Sequence, residues 1–181
     1  LIKNADARVI NQVDPCILPK ACKNNTEING MKKCHIRDAV AVCKFLAWLD
    51  NEVDSGNLFD EGILSDKLDS YRSELDMFKG ISFETISAAG KNAAMCHYSH
   101  KNQNIPSMLK MDSVYLVDSG GQYLDGTTDI TRTIAIGNPN NFIKKTFTLV
   151  LKGHISLGSA IFPKGTSGHQ LDSLARQYLW E

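Results

Sequence analysis

The sequence predicts an α+β fold in which helices pack on a mostly antiparallel sheet. Two observations carry this. Apolar residues recur at spacings of three and four in segments before residue 80 and after residue 137. Between them lie short runs rich in β-branched and aromatic residues, separated by Gly, Asn and Pro. Helix, helix, several strands, helix, helix is the order of an α+β layer rather than of alternating βαβ units. The 181 residues suit one domain with a short appendage, and 43% hydrophobic against 22% charged residues is the balance of a chain with a packed core.

Residues 1–22 contain Asp14-Pro15 and Leu18-Pro19 and no sustained apolar period, so they read as a connecting segment. A long amphipathic helix follows, its face marked by Ile28, Met31, His35, Ala39, Val42, Leu46, Leu49 and Val53. Asn24 or Asn25 caps its start and Ser55-Gly56-Asn57 allows its end. A second helix is expected from Ser65, as cap, to about Phe78, with Leu68, Tyr71 and Leu75 on one face. Strands are expected at Ile81 to Ala89, Ala93 to Tyr98, Ser113 to Ser119 and Thr128 to Ile136. Val114 to Val117 is apolar on both faces, as a covered central strand would be. A third helix is expected from an Asn138 cap and Pro139 to Pro163, and a fourth from Thr166 to Gly168 onward, still helical at Glu181. There is no internal repeat and no low-complexity tract.

Charge narrows the partners. Lys plus Arg number 20 and Asp plus Glu number 20, and the pI is near 7.1, so no global field attracts a polyanion. No apolar run approaches the roughly 20 residues that span a bilayer. The chain is therefore expected to be soluble, with neither nucleic acid nor membrane as a partner. Five cysteines, odd in number and without a Cys-x-x-Cys pair, argue against a disulfide framework or zinc ribbon and for a cytoplasmic setting. Asn24-Asn25-Thr26 fits a glycosylation acceptor, a pattern common by chance, and nothing nearby directs secretion.

The run Val117-Asp118-Ser119-Gly120-Gly121-Gln122-Tyr123-Leu124-Asp125-Gly126-Thr127-Thr128-Asp129-Ile130-Thr131-Arg132-Thr133 carries the chemistry. Asp118 ends an apolar strand and Asp129 opens the returning one, so a hairpin can bring the two carboxylates together. Two such groups on one face need a cation or a shared proton, and hard divalent ions favour carboxylate oxygen. Two turn-capping aspartates are the other reading, and spacing alone leaves both open; Asp125-Gly126 reads as turn chemistry.

This run resembles the metal-binding hairpin of the Xaa-Pro aminopeptidases, the aminopeptidase P family, in the superfamily of prolidase, creatinase and methionine aminopeptidase. The resemblance extends to Gly30-Met31-Lys32-Lys33-Cys34-His35-Ile36-Arg37-Asp38, to His97-Tyr98, to Leu151-Lys152-Gly153-His154 and to Gly168-His169-Gln170-Leu171-Asp172, covering about residues 22–181. It implies a partial pita-bread fold ending short of the C-terminal half, with residues 1–22 the tail of a preceding creatinase-N-terminal-like domain and 23–181 the first part of a catalytic domain.

The resemblance also implies a mechanism: hydrolysis by water activated between two divalent ions, commonly manganese. It makes Asp118 and Asp129 metal ligands, Asp129 the bridge, and His97 the catalytic, substrate-binding histidine that hydrogen-bonds the scissile carbonyl. The implied substrate is a peptide with proline second, and a homodimer of the full-length protein is compatible with it. The family's other ligands, one histidine and two glutamates, lie beyond the last helix here, so the chain alone is expected to be inactive. Read without the family, His97 is a structural residue at a strand end, and His35 and His154 are buried, hydrogen-bonded helix residues. His100 lies in a polar loop that departs from the family pattern, and His169 caps or packs a helix start. A prolidase-type dipeptidase and a non-catalytic interaction module remain alternatives.

Overall fold

A computed structural model describes residues 11–180. The connecting-segment reading of residues 1–10 and the last residue of the expected final helix, Glu181, lie outside them; within them that helix ends at Arg176 and is followed only by a 3₁₀ turn over Gln177–Leu179. Helix α1 (Ile17–Ala21) is a single turn with no buried residue, as a connecting segment allows. Helix α2 (Asn25–Asp54) starts as the sequence indicates. The Asn24 side chain accepts the Glu27 backbone N–H, and the Glu27 carboxylate accepts that of Asn24, a reciprocal cap that satisfies two free donors.

The buried stripe of α2 is Cys34, Asp38, Ala41, Val42, Phe45, Leu49 and Val53. This agrees with the expected face in the second half of the helix and corrects it in the first. Asp38 belongs to the core, and His35 is exposed with its Nδ1 2.7 Å from the Met31 carbonyl oxygen. A periodicity of apolar residues misses Asp38 because a charge is buried there against a partner from another element.

That partner belongs to helix α3 (Glu61–Ser73), capped by Asp60, whose side chain accepts the Ile63 N–H at 2.9 Å. The expected cap, Ser65, is instead buried inside the helix, which starts four residues earlier. Arg72 on α3 is fully buried and reaches Asp38 with Nε at 2.8 Å and Nη2 at 3.3 Å.

The expected strand Ile81 to Ala89 is two strands in different sheets, β1 (Phe78–Ile81) and β2 (Ile86–Ala89). The expected strand Ala93 to Tyr98 does not form. A 3₁₀ helix spans Gly90–Ala94 and a turn follows, because Asn92 and Tyr98 turn inward to a buried carboxylate. Strand β3 (Ser113–Ser119) has the expected bounds, and β6 (Ile130–Ile136) begins two residues later than expected. Between them the chain forms two short strands absent from the sequence reading, β4 (Gly121–Tyr123) and β5 (Gly126–Thr127). All pairings are antiparallel, in the orders β2-β3-β6 and β1-β4-β5. Strand β3 is central as expected, but only Tyr115, Val117 and Ser119 are fully buried; Val114, Leu116 and Asp118 form a half-buried opposite face.

Phe45 and Leu49 of α2, Leu64 and Leu68 of α3, and Tyr115 and Val117 of β3 form one core cluster, so the two helices cover a single face of the sheet. Burying each such side chain contributes roughly 1.5–3 kcal/mol. At the far end of α2 the hairpin rests directly on the helix. A Cβ on Gly30 would collide with the Asp125 carbonyl oxygen, and one on Gly126 would lie 2.5 Å from Cys34 Sγ. Glycine inside a helix costs stability, and here the close approach of another backbone requires it.

Helix α4 (Asn141–Gly158) is capped by Asn140, not Asn138, and stops well before Pro163. Asn138 instead accepts a hydrogen bond from Lys144 Nζ at 2.7 Å. Helix α5 (Gly168–Arg176) follows Ser167, whose backbone N–H donates to Gln170 Oε1 at 2.8 Å, and it packs on α4 across Gly153. Ser167 therefore takes the capping position, and His169 is exposed. His154 is exposed as well, because Gly153 is the one buried residue of α4. Phe142, Phe147, Val150, Leu151 and Ile155 of α4 are likewise exposed.

Two outcomes follow from this packing. Asp38→Ala leaves the Arg72 guanidinium buried without its partner and should cost about 3–5 kcal/mol, read as a lower denaturation midpoint; an unchanged midpoint would contradict the buried pairing. The apolar α4 surface should make the 181-residue chain self-associate. Sedimentation that stays monomeric over a hundredfold range of concentration would contradict that expectation.

Candidate metal centre

Antiparallel pairing determines which face each hairpin residue occupies. Asp118 of β3 is paired with Thr131 of β6, and Asp129 lies two residues before Thr131, just ahead of the strand. Side chains alternate with period two, so Asp118 and Thr131 share a face, and the same alternation carried one residue back from the start of β6 assigns Asp129 to it. It is the face opposite Tyr115 and Val117, turned away from the layer of α2 and α3. Asp118 is half-buried and Asp129 exposed. The Thr131 hydroxyl donates to Asp118 Oδ1 at 2.7 Å. That contact orients the carboxylate and leaves its second oxygen free. Sequence reasoning did not single out Thr131; its signal was the register, legible once Asp118 and Asp129 are placed on paired strands.

The segment between the aspartates is not a simple turn. Gly121 N donates to Thr128 Oγ1 at 2.9 Å, and Thr128 N donates to the Gly121 carbonyl at 2.9 Å. This closes the base of the β4–β5 excursion beside both aspartates. Gly120 lies where a Cβ would strike the Thr128 carbonyl oxygen, which is why Asp118-Ser119 is followed by glycine. The tip is held from the other side: Arg37 of α2 pairs with Asp125, and Tyr123 Oη donates to Asp38 Oδ1 at 2.6 Å. Asp125 thus serves the turn and an ion pair. Burial, followed by the hydrogen bond to Asp38, pushes the Tyr123 phenol well above its ordinary range.

His97 does not belong to this hairpin. It is exposed, in the turn closed by Tyr98 N donating to the Met95 carbonyl at 3.3 Å. Its neighbour Tyr98 is buried, and Tyr98 Oη donates to Glu61 Oε2 at 2.6 Å. Burial, then the Glu61 contact, raises the Tyr98 phenol to about 12. Glu61, at the start of α3, is fully buried and escaped the sequence reading, which began that helix at Ser65. His100 is buried rather than set in a solvated loop, lying near Gly62 of α3.

The donor chemistry fits a divalent cation in part. Two carboxylates on one face are hard oxygen donors of the type that magnesium and manganese take. Among the described residues no group of three or more His, Cys, Asp and Glu gathers as a complete metal site. Asp118 and Asp129 can thus furnish two ligands, and a full shell requires others.

Comparison with known proteins places this arrangement. The pattern of Metallopeptidase family M24 matches residues 29–181. Proteins named probable Xaa-Pro aminopeptidase P are similar, at 54% identity over 162 residues in Talaromyces marneffei and 52% over 163 residues in Aspergillus fumigatus. The matches cover 89% and 90% of this chain but 24% and 25% of those proteins, so it spans about a quarter of their length. The crystal structure of X-prolyl aminopeptidase from Caenorhabditis elegans, described as a cytosolic enzyme with a di-nuclear active site, superposes with a TM-score of 0.82. Its identity is 45%, over 90% of this chain and 26% of that one. The X-Pro aminopeptidase of Thermotoga maritima, at 24% identity, shares the fold with a TM-score of 0.69 over 87% of this chain and 42% of its own. The α+β arrangement is accordingly part of the pita-bread fold of these peptidases, and the chain belongs to metallopeptidase family M24.

Proposed function

We propose that this chain is the first part of the catalytic domain of a Xaa-Pro aminopeptidase, which removes the N-terminal residue from peptides with proline in second position. The observation that supports this best is the placement of Asp118 and Asp129 on one face of the β3–β6 hairpin, together with family membership. Asp118 and Asp129 would hold two divalent cations, manganese by family habit, with Asp129 bridging and Thr131 orienting Asp118. When bound, such ions supply Lewis acidity toward the scissile carbonyl and lower the pKa of a water molecule. The second carboxyl oxygen of Asp118 is free to face the cation while Oδ1 accepts from Thr131, which restrains the ligand's rotation.

His97 donates a hydrogen bond from its ring N–H to the carbonyl oxygen of the scissile peptide as negative charge develops there. Its exposure leaves the ring available to substrate, and the buried Tyr98 beside it restrains the turn that carries it. Residues 1–22 would connect to a preceding domain. The remaining ligands would come from the rest of the full-length protein, so the chain by itself would be inactive. The nematode enzyme is described as cytosolic, and the five cysteines here are unpaired, which favours a cytoplasmic location.

In the full-length protein, Asp129→Ala should lose more bound metal than Asp118→Ala, because a bridge contacts both ions, and either change should nearly abolish hydrolysis of an Ala-Pro-containing peptide. Retention of two metal ions by both variants would overturn the ligand assignment. His97→Ala should keep both ions and the melting temperature while lowering kcat about 10²–10³-fold, the usual loss for one donor to a developing oxyanion. Unchanged kcat with both ions bound would remove His97 from the mechanism.

A further inference from the structure

Glu61 has an arrangement that the metal site does not explain. It is the first residue of α3, fully buried, and both its oxygens are used. Oε1 accepts the Ala89 backbone N–H at 2.7 Å and Asn92 Nδ2 at 2.8 Å. Oε2 accepts Tyr98 Oη at 2.6 Å and the Ser107 backbone N–H at 3.1 Å. Asn92 Nδ2 also lies 2.9 Å from Tyr98 Oη and 3.0 Å from Ser107 Oγ. One carboxylate thus gathers the end of β2, the 3₁₀ turn after it, the turn containing His97 and the segment that returns at Ser107.

A buried carboxylate is costly unless donors surround it, and four donors plus the positive end of α3 meet that need here. The apolar core does not require such a group, since Leu64 and Leu68 of the same helix already pack against the sheet. What Glu61 adds is a fixed point for three loop segments that lack regular pairing of their own. His97 is bonded directly to Tyr98, whose hydroxyl reaches that fixed point. Its turn is closed by Tyr98 N, and the turn's orientation follows the Tyr98 ring, whose hydroxyl is bound to Glu61. On the far side, the Ser99 hydroxyl donates to Glu84 Oε1 at 2.9 Å.

We propose that Glu61 is the positioning residue for His97, holding its turn through Tyr98 so that the imidazole meets the substrate carbonyl in a fixed orientation. The proposal rests on the reading of His97 as a substrate-facing donor. It differs from a packing role for Glu61 in one respect that can be measured: the effect on turnover must pass through His97.

The test is a double-mutant cycle in the metal-loaded full-length protein. Glu61→Gln puts an amide NH₂ in place of one oxygen that now accepts from a backbone N–H and a side-chain donor, and Tyr98→Phe removes one hydroxyl while leaving the other three Glu61 contacts in place, so it serves if Glu61→Gln folds poorly. Each should keep both metal ions, and each should lower kcat by about ten- to a hundredfold with KM little changed, the scale of a misplaced catalytic group. In a His97→Ala background the same substitutions should cost almost nothing further in kcat, because the group they position is gone.

Two results overturn the proposal by itself: kcat per folded molecule unchanged in Tyr98→Phe, or losses that multiply fully with His97→Ala. If His97→Ala is itself without effect on kcat while both ions stay bound, the reading of His97 falls and takes this proposal with it. That outcome is recognised from the single variant alone.

Discussion

The arrangement of this protein depends on one buried charge cluster, Asp38 with Arg72 and Tyr123. It joins α2, α3 and β4 at a single point, with Arg72 wholly buried and Asp38 nearly so. Desolvating two ions is expensive, and their attraction offsets the cost only in good geometry. Asp38 accepts three hydrogen bonds there, two from Arg72 and one from the Tyr123 phenol. Any slide of α3 along α2, or any lift of the β4–β5 excursion, would separate these groups inside a low-dielectric interior. Apolar contacts tolerate a slide, since Leu and Val pack in several registers; a paired guanidinium and carboxylate do not. Charge therefore sets the relation of helices to hairpin, while the apolar cluster supplies most of the burial.

The placement of the aspartates follows from that. The β4–β5 tip is clamped to α2 by Asp38, by Arg37 and by the glycine contacts at Gly30 and Gly126, and its base is closed by Gly121 and Thr128. Asp118 and Asp129 lie just outside this closed base, Asp118 on β3 and Asp129 immediately before β6. A loop of the same length without these ties would let the two carboxylates drift apart under their mutual repulsion. A second buried carboxylate, Glu61, organises the loops on the His97 side by the same device. In each case a helix contributes an acid to the interior, and the acid binds segments that have too few backbone pairings to order themselves.

This explains which features could be read in the amino-acid sequence. The cap and length of α2, the bounds of β3 and the antiparallel return of the chain after Asp118 were legible, because they rest on local hydrogen-bond chemistry and on alternation. The start of α3 and the fate of Ala93 to Tyr98 were not. Glu61 and Asp38 look like solvent-facing residues when only hydropathy is weighed, so the apolar pattern points to a cap at Ser65 in place of Asp60. Asn92 and Tyr98 likewise have partners distant in sequence, and their inward turn overrides the strand preference of the residues around them. The orientations of His35 and His154 failed for a related reason: a helix face looks apolar in sequence whether or not another element covers it; His169, expected to cap or pack the start of α5, is exposed because Ser167 takes the cap.

An antiparallel hairpin is a well-suited support for the two carboxylates proposed as metal ligands because its period is two. Asp118 is held to one face by the burial of Tyr115 and Val117 on the other, and Asp129 by the pairing of Thr131 opposite Asp118. A slip of one residue between β3 and β6 would move Asp129 to the helix-covered face and put Ile130 in its place, and the core would then have to accept a charge. The same side chains that make the interior apolar therefore forbid the slipped register. Strand β6 itself is only partly buried, and could not hold that register alone. Its specification comes from β3, whose inward residues belong to the core of α2 and α3. The position of Asp118 is thus derived from packing on the opposite side of the sheet, which leaves the half-buried face it shares with Thr131 uncovered by α2 and α3.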